Sequence, residues 1–162
     1  TGFPGTGTWS VQLNESSTAL LLSYQPAAGT PFSAWAAANG VPANPDLDSD
    51  ADGIPAGIEF VIGGIPAGPG SDSSALLPTA TRDATHLNFT YRRTDEAAGM
   101  PEAQQPYVEY GSDLTGWTKA LPGVNGITVE ETSGTPDLVT VRIPLALAVE
   151  GRLFARLRVD ID

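Results

Sequence analysis

Residues 86–93 read HLNFTYRR, and apolar and polar side chains alternate along this segment. Successive side chains of a β-strand point to opposite faces, so Leu87, Phe89 and Tyr91 would share one face. Comparable segments follow, separated by turns rich in Gly, Pro, Asn and Asp, at residues 107–111, 117–121, 127–132, 138–145 and 152–161. The C-terminal part of the chain is therefore predicted to be all-β.

Strands at this spacing predict an antiparallel β-sandwich of fibronectin type III or immunoglobulin-like kind over residues 76–162. In the last strand the odd-numbered residues from Leu153 to Ile161 are apolar and are expected to face inward. Arginines between them, such as Arg156, are expected to face solvent or to pair with Glu109 and Glu130. The overall class is predicted to be mostly β.

Upstream of these strands, residues 48–59 read DSDADGIPAGIE and match the calcium-loop pattern D-x-D-x-D-G-x5-E. Carboxylates at the first, third and fifth positions can converge on one point, and glycine at the sixth allows the chain to turn sharply around an ion. Hard oxygen ligands in this number suit Ca²⁺ better than Zn²⁺ or Cu²⁺. An acidic, solvated linker is the alternative interpretation. The predicted ligands are the side chains of Asp48, Asp50, Asp52 and Glu59 and the backbone carbonyl of Ile54.

Helix signals stand on both sides of this loop. Pro31 follows a capping threonine, Pro55 can open a second helix, and Gly63 and the glycine after it can end it. The pattern predicts a helix–calcium loop–helix over residues 30–64, followed by a linker rich in Pro, Gly and Ser at 65–85. The second helix carries an apolar stripe of Ile54, Ile58, Val61 and Ile62 at helical spacing. The two helices are expected to pack together as core, with Phe32 and Trp35 against Ile58 and Val61.

The loop resembles the EF-hand-type calcium loops of dockerins and of thrombospondin type 3 repeats. The wider segment 32–64, together with the stretch YVEYGSDLTGWT at 107–118, resembles the C-terminal parts of large secreted or surface proteins of planctomycete and verrucomicrobial type. Two positions depart from the loop family. Ala56 stands at the ninth position, where Asn is frequent, so that ligand would be water, and Pro55 at the eighth has no N–H to bridge to a second loop. With one such loop in the chain, the resemblance implies a single, unpaired site with a structural role.

The N-terminal residues 1–25 are predicted to form a β-hairpin, with alternating strands at 8–13 and 18–24 and a turn at 14–17. A lone hairpin is marginally stable in water, so this one is expected to dock on the downstream domain, on a preceding domain or on a neighbouring subunit. The apolar residues expected on one face of each strand are Trp9, Val11 and Leu13, and Leu20, Leu22 and Tyr24.

Composition narrows the classes of function. The chain has 162 residues, no Cys and a net charge of −11, and its first 81 residues contain no Lys or Arg. This charge argues against nucleic acid and anionic membrane surfaces as partners, and no apolar run is long enough for membrane insertion. Without disulfides, a metal is the available crosslink. We expect a piece of a longer precursor, located extracellularly or at the cell surface.

Catalytic chemistry has little support in the sequence. His86 is the single histidine, and Glu130 and Glu131 are adjacent in a strand, where they would point to opposite faces. Asn14 and Asn88 each begin an N-glycosylation pattern. Aromatic residues that could stack on sugars are Trp9, Tyr91, Tyr107, Tyr110 and Trp117.

Taken together, these features predict a non-catalytic, calcium-stabilised extracellular module that acts in architecture or assembly. In a sharper form, the chain is the subunit of an extracellular filament, and its partners are other copies of itself or neighbouring domains of a surface protein. The alternative is a carbohydrate-binding accessory module of a secreted enzyme, with glycans as partners.

Overall fold

The computed structural model describes residues 7–13, 19–26, 29–68 and 71–161. The chain divides into two units, Thr1–Thr30 and Pro31–Asp162. The first contains a two-stranded antiparallel sheet of β1 (Gly7–Leu13) and β2 (Leu20–Pro26), in which Val11 pairs with Leu22 and Leu13 with Leu20. Both strands of the predicted hairpin are therefore present, and its predicted turn at 14–17 lies outside the described residues.

The described residues of the second unit form seven strands: β3 (Thr79–Arg82), β4 (His86–Arg93), β5 (Tyr107–Gly111), β6 (Thr118–Lys119), β7 (Thr128–Thr132), β8 (Asp137–Pro144) and β9 (Phe154–Arg158). They form a four-stranded sheet in the order β3-β4-β8-β7 and a three-stranded sheet in the order β6-β5-β9. All pairings are antiparallel. The predicted mostly β class is confirmed.

In the part of the chain that the structure describes, three short α-helices accompany the sheets: α1 (Pro31–Ala38), α2 (Ala56–Ile62) and α3 (Asp95–Ala98). Helix α2 ends where Gly63 adopts a left-handed conformation with φ of 79°, which glycine enters without steric cost. Thr94 caps α3 and also holds it against α2, because its hydroxyl donates to the carbonyl of Phe60 at 2.9 Å. Within the described residues, none of the helices combines the length and apolar character needed to cross a bilayer.

The core of the second unit is built from both sheets and from the helices. Alternate residues of β8 are buried, as are Phe89 and Tyr91 of β4, in agreement with the predicted alternation. Helices α1 and α2 contribute Phe32, Phe60 and Val61 to the same cluster. The predicted inward residues of the last strand, Leu153, Ala155, Leu157, Val159 and Ile161, are packed against it.

The helical part of the core differs from the prediction in one respect. Trp35 is half-buried rather than central, and Ile58 is likewise half-buried. The buried centre is Phe60, whose ring lies 5.6 Å from the rings of both Phe32 and Trp35. The apolar stripe predicted at helical spacing does not include Phe60. Because α2 is buried on nearly all its sides, its core residues do not lie on a single stripe.

Element boundaries also differ. The predicted strand at 117–121 contains only the two residues of β6, and the last strand is shorter than predicted. The predicted linker at 65–85 contains β3, whose residues are all exposed and show no apolar alternation. Arg156 pairs with Glu109 as predicted, whereas Arg152 pairs with Glu150 and Arg158 with Asp160, and among the described residues none of these arginines pairs with Glu130.

Candidate metal centre

Three aspartates between α1 and α2 bring their carboxylates together. Asp48, Asp50 and Asp52 each offer one oxygen, and these three atoms lie within 4.8 Å of one another. The three are half-buried, while Ser49 and Ala51 between them are exposed. Alternate residues of the loop therefore turn inward, as the spacing of the motif predicts, and the three acids could hold a metal ion.

The loop takes this shape through bonds from its own backbone to the aspartates. Asp48 Oδ2 accepts from the N–H of Gly53 at 2.9 Å, and Asp52 Oδ1 accepts from Ile54 at 2.8 Å. Asp50 Oδ1 accepts from Asp52 at 3.3 Å. Gly53 has φ of 89°, in the left-handed region that favours glycine. The carboxylates thus build the turn as well as lining it, as Asp side chains do in tight turns.

Some carboxylate oxygens remain unused by the loop. Asp48 Oδ1, Asp50 Oδ2 and Glu59 Oε2 are buried and have no hydrogen-bond partner among the described residues. Burying a charged oxygen without a partner is unfavourable, and native proteins rarely leave one so. A cation held by the aspartates would give their unpartnered oxygens a partner, so the residues present fit a hard cation with oxygen ligands.

Glu59, the last acid of the motif, is fully buried at the start of α2. Its Oε1 accepts from the hydroxyl of Ser73 at 2.9 Å. Burial raises the pKa of Glu59 to about 7; the Ser73 hydroxyl opposes this, and the charges of Asp50, Asp52 and Asp48 add to it. Glu59 therefore lies within electrostatic reach of the aspartates but outside their 4.8 Å group.

The fifth predicted ligand is the carbonyl of Ile54. Its side chain is buried and its N–H is bonded to Asp52. That geometry holds Ile54 at the inner turn of the loop, and the role of its carbonyl stays a prediction. The structure thus brings three of the predicted ligands together, and ligation by Glu59 and by the Ile54 carbonyl stays a prediction.

Sequence reasoning missed the contribution of a later segment. Ser73 is buried, and its N–H donates to Asp52 Oδ2 at 2.7 Å. Ser71 is also buried, and its hydroxyl lowers the pKa of Asp50. Both serines lie in the stretch that composition predicts to be a linker. A contact made across 21 residues leaves no local signal by which the sequence could have revealed it.

The predicted glycosylation sites differ in what surrounds them. Asn14 lies outside the described residues. Asn88 is half-buried in β4, and its side-chain nitrogen, to which a glycan would attach, donates to Asp83 Oδ2 at 3.1 Å. Modification of either residue stays a prediction.

Two of the aromatic residues considered for sugar stacking are partly covered by cations. Lys119 Nζ lies 4.0 Å from the ring centroid of Tyr107, and the Arg156 guanidinium lies 4.2 Å from that of Trp117. One face of each ring is therefore occupied by a neighbouring side chain. These two faces are not open platforms for a sugar.

No family model matches this chain, and neither curated proteins nor solved structures gave a match. The proposed function therefore rests on the chemistry of the site residues.

Proposed function

We propose that this chain is a non-catalytic, calcium-stabilised structural module of an extracellular or cell-surface protein. The observation that carries the proposal is the set of buried carboxylate oxygens on Asp48, Asp50 and Glu59 that have no partner among the described residues. Ca²⁺ takes six to eight oxygen ligands in flexible geometry, which suits a loop rich in carboxylates. The glycine turn and the spacing of the acids support the same ion.

A structural role is supported by where the loop lies. It connects α1 to α2, and both helices contribute buried side chains to the core of the second unit. Asp52 and Glu59 are in turn bonded to Ser73, in the segment that leads to β3. An ion bound here would stabilise the folded state by mass action, in a chain that has no Cys for disulfides. The proposed arrangement is a helix–calcium loop–helix joined to a fibronectin III-like or immunoglobulin-like sandwich.

The melting temperature should rise when Ca²⁺ is added to metal-free protein. A loop of extracellular type binds at roughly 10⁻⁴–10⁻³ M, and a hundredfold excess over Kd adds about 2.7 kcal/mol to the free energy of unfolding. Circular dichroism melting in chelator, in Ca²⁺ and in equimolar Mg²⁺ measures the effect, with titration calorimetry for stoichiometry. Identical melting curves in chelator and in Ca²⁺ would contradict the proposal.

Assembly of copies through strand addition is the second part of the proposal. Strand β9 lies at the edge of its sheet. The carbonyl of Val108 in β5 accepts from the N–H of Ala120, so the backbone groups of Val108 point toward the β6 side. The backbone groups of the residues before and after Val108 therefore point toward β9. The register then directs the backbone groups of Ala155 and Leu157 toward the free edge. Such an edge can accept a strand from a second copy.

The N-terminal hairpin is the proposed donor. Val11 is 61% exposed and Leu20 is 73% exposed in the two-stranded sheet of the first unit. A two-stranded sheet buries little apolar surface and is marginal by itself. Adding it to the edge of β9 in a neighbouring copy would extend a sheet and pair the unpaired backbone groups of both edges. Because donor and acceptor are different surfaces, the contact would propagate as a filament.

Ala155→Pro should block assembly while leaving the fold intact. Proline is tolerated at an edge strand where the lost N–H faces solvent, and it removes a donor that an added strand needs. Sedimentation velocity of the full chain in Ca²⁺ measures assembly, and circular dichroism checks folding. The matched control is Val129→Pro on β7, an edge strand of the other sheet, which should assemble as the wild type does. If Ala155→Pro assembles normally, or the wild type stays monomeric at high concentration, the assembly proposal is wrong.

A further inference from the structure

A segment outside the calcium motif closes over the candidate site. Ser73 lies 14 residues after Glu59 in the chain, and it bonds two acids of the motif at once. Its N–H donates to Asp52 Oδ2 at 2.7 Å, and its hydroxyl lies 2.9 Å from Glu59 Oε1. These acids occupy the fifth and twelfth positions of the loop. One buried residue therefore fixes the relative placement of two predicted ligands.

The hydroxyl of Ser73 is itself held in place. It accepts from the N–H of Ile65 at 3.1 Å, and it lies 3.1 Å from the carbonyl of Ser71. A hydroxyl has one proton, so it can donate to either Ser71 or Glu59, and a carboxylate is the stronger acceptor. The Ser73 hydroxyl therefore donates to Glu59 when the Glu59 carboxyl is charged.

Close packing leaves little freedom around this contact. A Cβ at Gly64 would lie 2.5 Å from Ser73 Oγ and 3.0 Å from Glu59 Cβ, so only glycine allows the approach. Ser73 is 3% exposed, and Glu59 is fully buried. Such a contact can hold Glu59 Oε1, while Oε2 has no hydrogen-bond partner among the described residues.

We propose that Ser73 is a positioning residue of the calcium site, which orients Glu59 through its hydroxyl and Asp52 through its backbone N–H. This inference rests on the proposed function above. In paired loops a second loop supports the first through the eighth position, but Pro55 has no N–H to offer there. The segment of Ser71 and Ser73 supplies that support from within the same chain. Calcium binding then also fixes the connection between α2 and β3.

Ser73→Ala should weaken calcium binding by about 10-fold to 100-fold, the usual loss when a partner that orients a metal ligand is removed. Titration calorimetry on the full chain, at a temperature where each variant is folded, measures the affinity. Ser73→Cys keeps a weaker donor and should give an intermediate affinity, which also provides a second folded variant if Ser73→Ala does not fold. An order of Ser above Cys above Ala is the signature of orientation by the hydroxyl.

The matched control is Thr94→Ala. Thr94 is another hydroxyl bonded to α2, through the carbonyl of Phe60, but among the described residues it has no bond to an acid of the loop. Its loss should lower stability without changing the calcium affinity. Equal weakening in both variants, or unchanged affinity in Ser73→Ala, would overturn the positioning role while leaving the calcium site intact. A wild type that binds no Ca²⁺ would instead overturn the proposed function.

Discussion

Phe60→Ala should lower the free energy of unfolding by about 3–5 kcal/mol, the usual range for removing a fully buried aromatic ring. Phe60 has no exposed surface, and its ring meets those of Phe32 and Trp35 edge-on, with centroids 5.6 Å away in each case. Truncation would leave a cavity between α1 and α2 that neither helix can close without moving. Denaturant unfolding of the variant and wild type, both in saturating Ca²⁺, measures the loss.

Trp35→Ala is the matched control from the same cluster. Trp35 is half-buried and stacks on Phe32 with ring centroids 5.7 Å apart. Its truncation removes less buried surface, so it should lower the free energy of unfolding by less than truncation of Phe60 does. A larger loss for Trp35→Ala than for Phe60→Ala would contradict the described packing and restore Trp35 as the core residue that helical spacing suggests.

The sequence predicts a strand correctly where one face is buried, because burial makes apolar and polar residues alternate. It does not predict β3, whose residues are all exposed. Strand β4 could be recognised because Leu87, Phe89 and Tyr91 alternate with polar residues and face the core. Strand β3 has the sequence TATR and is exposed throughout, so its pairing to β4 is fixed by hydrogen bonds that composition does not encode. Helix α2 is surrounded by packing, and a single apolar stripe therefore could not single out Phe60.

The candidate site divides in the same way between local and distant determinants. Asp48, Asp50 and Asp52 converge through bonds to residues at most five positions away, so a short motif contains the information. Ser73 reaches the loop from a serine-rich stretch that carries no pattern of its own. Its contact with Asp52 depends on how α2 and the following segment fold back, which is a property of the tertiary structure.

The metal-free protein should become less stable as pH rises from about 4.5 to about 7, and Glu59→Gln should abolish this trend. Burial raises the pKa of Glu59 from 4.5 to about 7 in the folded state. A carboxyl whose folded pKa lies above its unfolded value stabilises the fold at low pH, and that contribution is lost as pH rises through the folded pKa. The full shift corresponds to about 3 kcal/mol as an upper limit.

Denaturant unfolding of metal-free protein at several pH values between 5 and 8 tests this, with Glu102→Gln as the control because Glu102 is an exposed acid outside the loop. That control should keep the wild-type trend. Saturating Ca²⁺ should reverse the slope in the wild type, because metal ligands must be deprotonated and protons therefore compete with the ion. Glu59→Gln should lose both the metal-free trend and most of its calcium affinity, since the loop then lacks its last charged ligand. A wild type whose metal-free stability does not change across this range would show that Glu59 is not buried as a carboxyl against the aspartates.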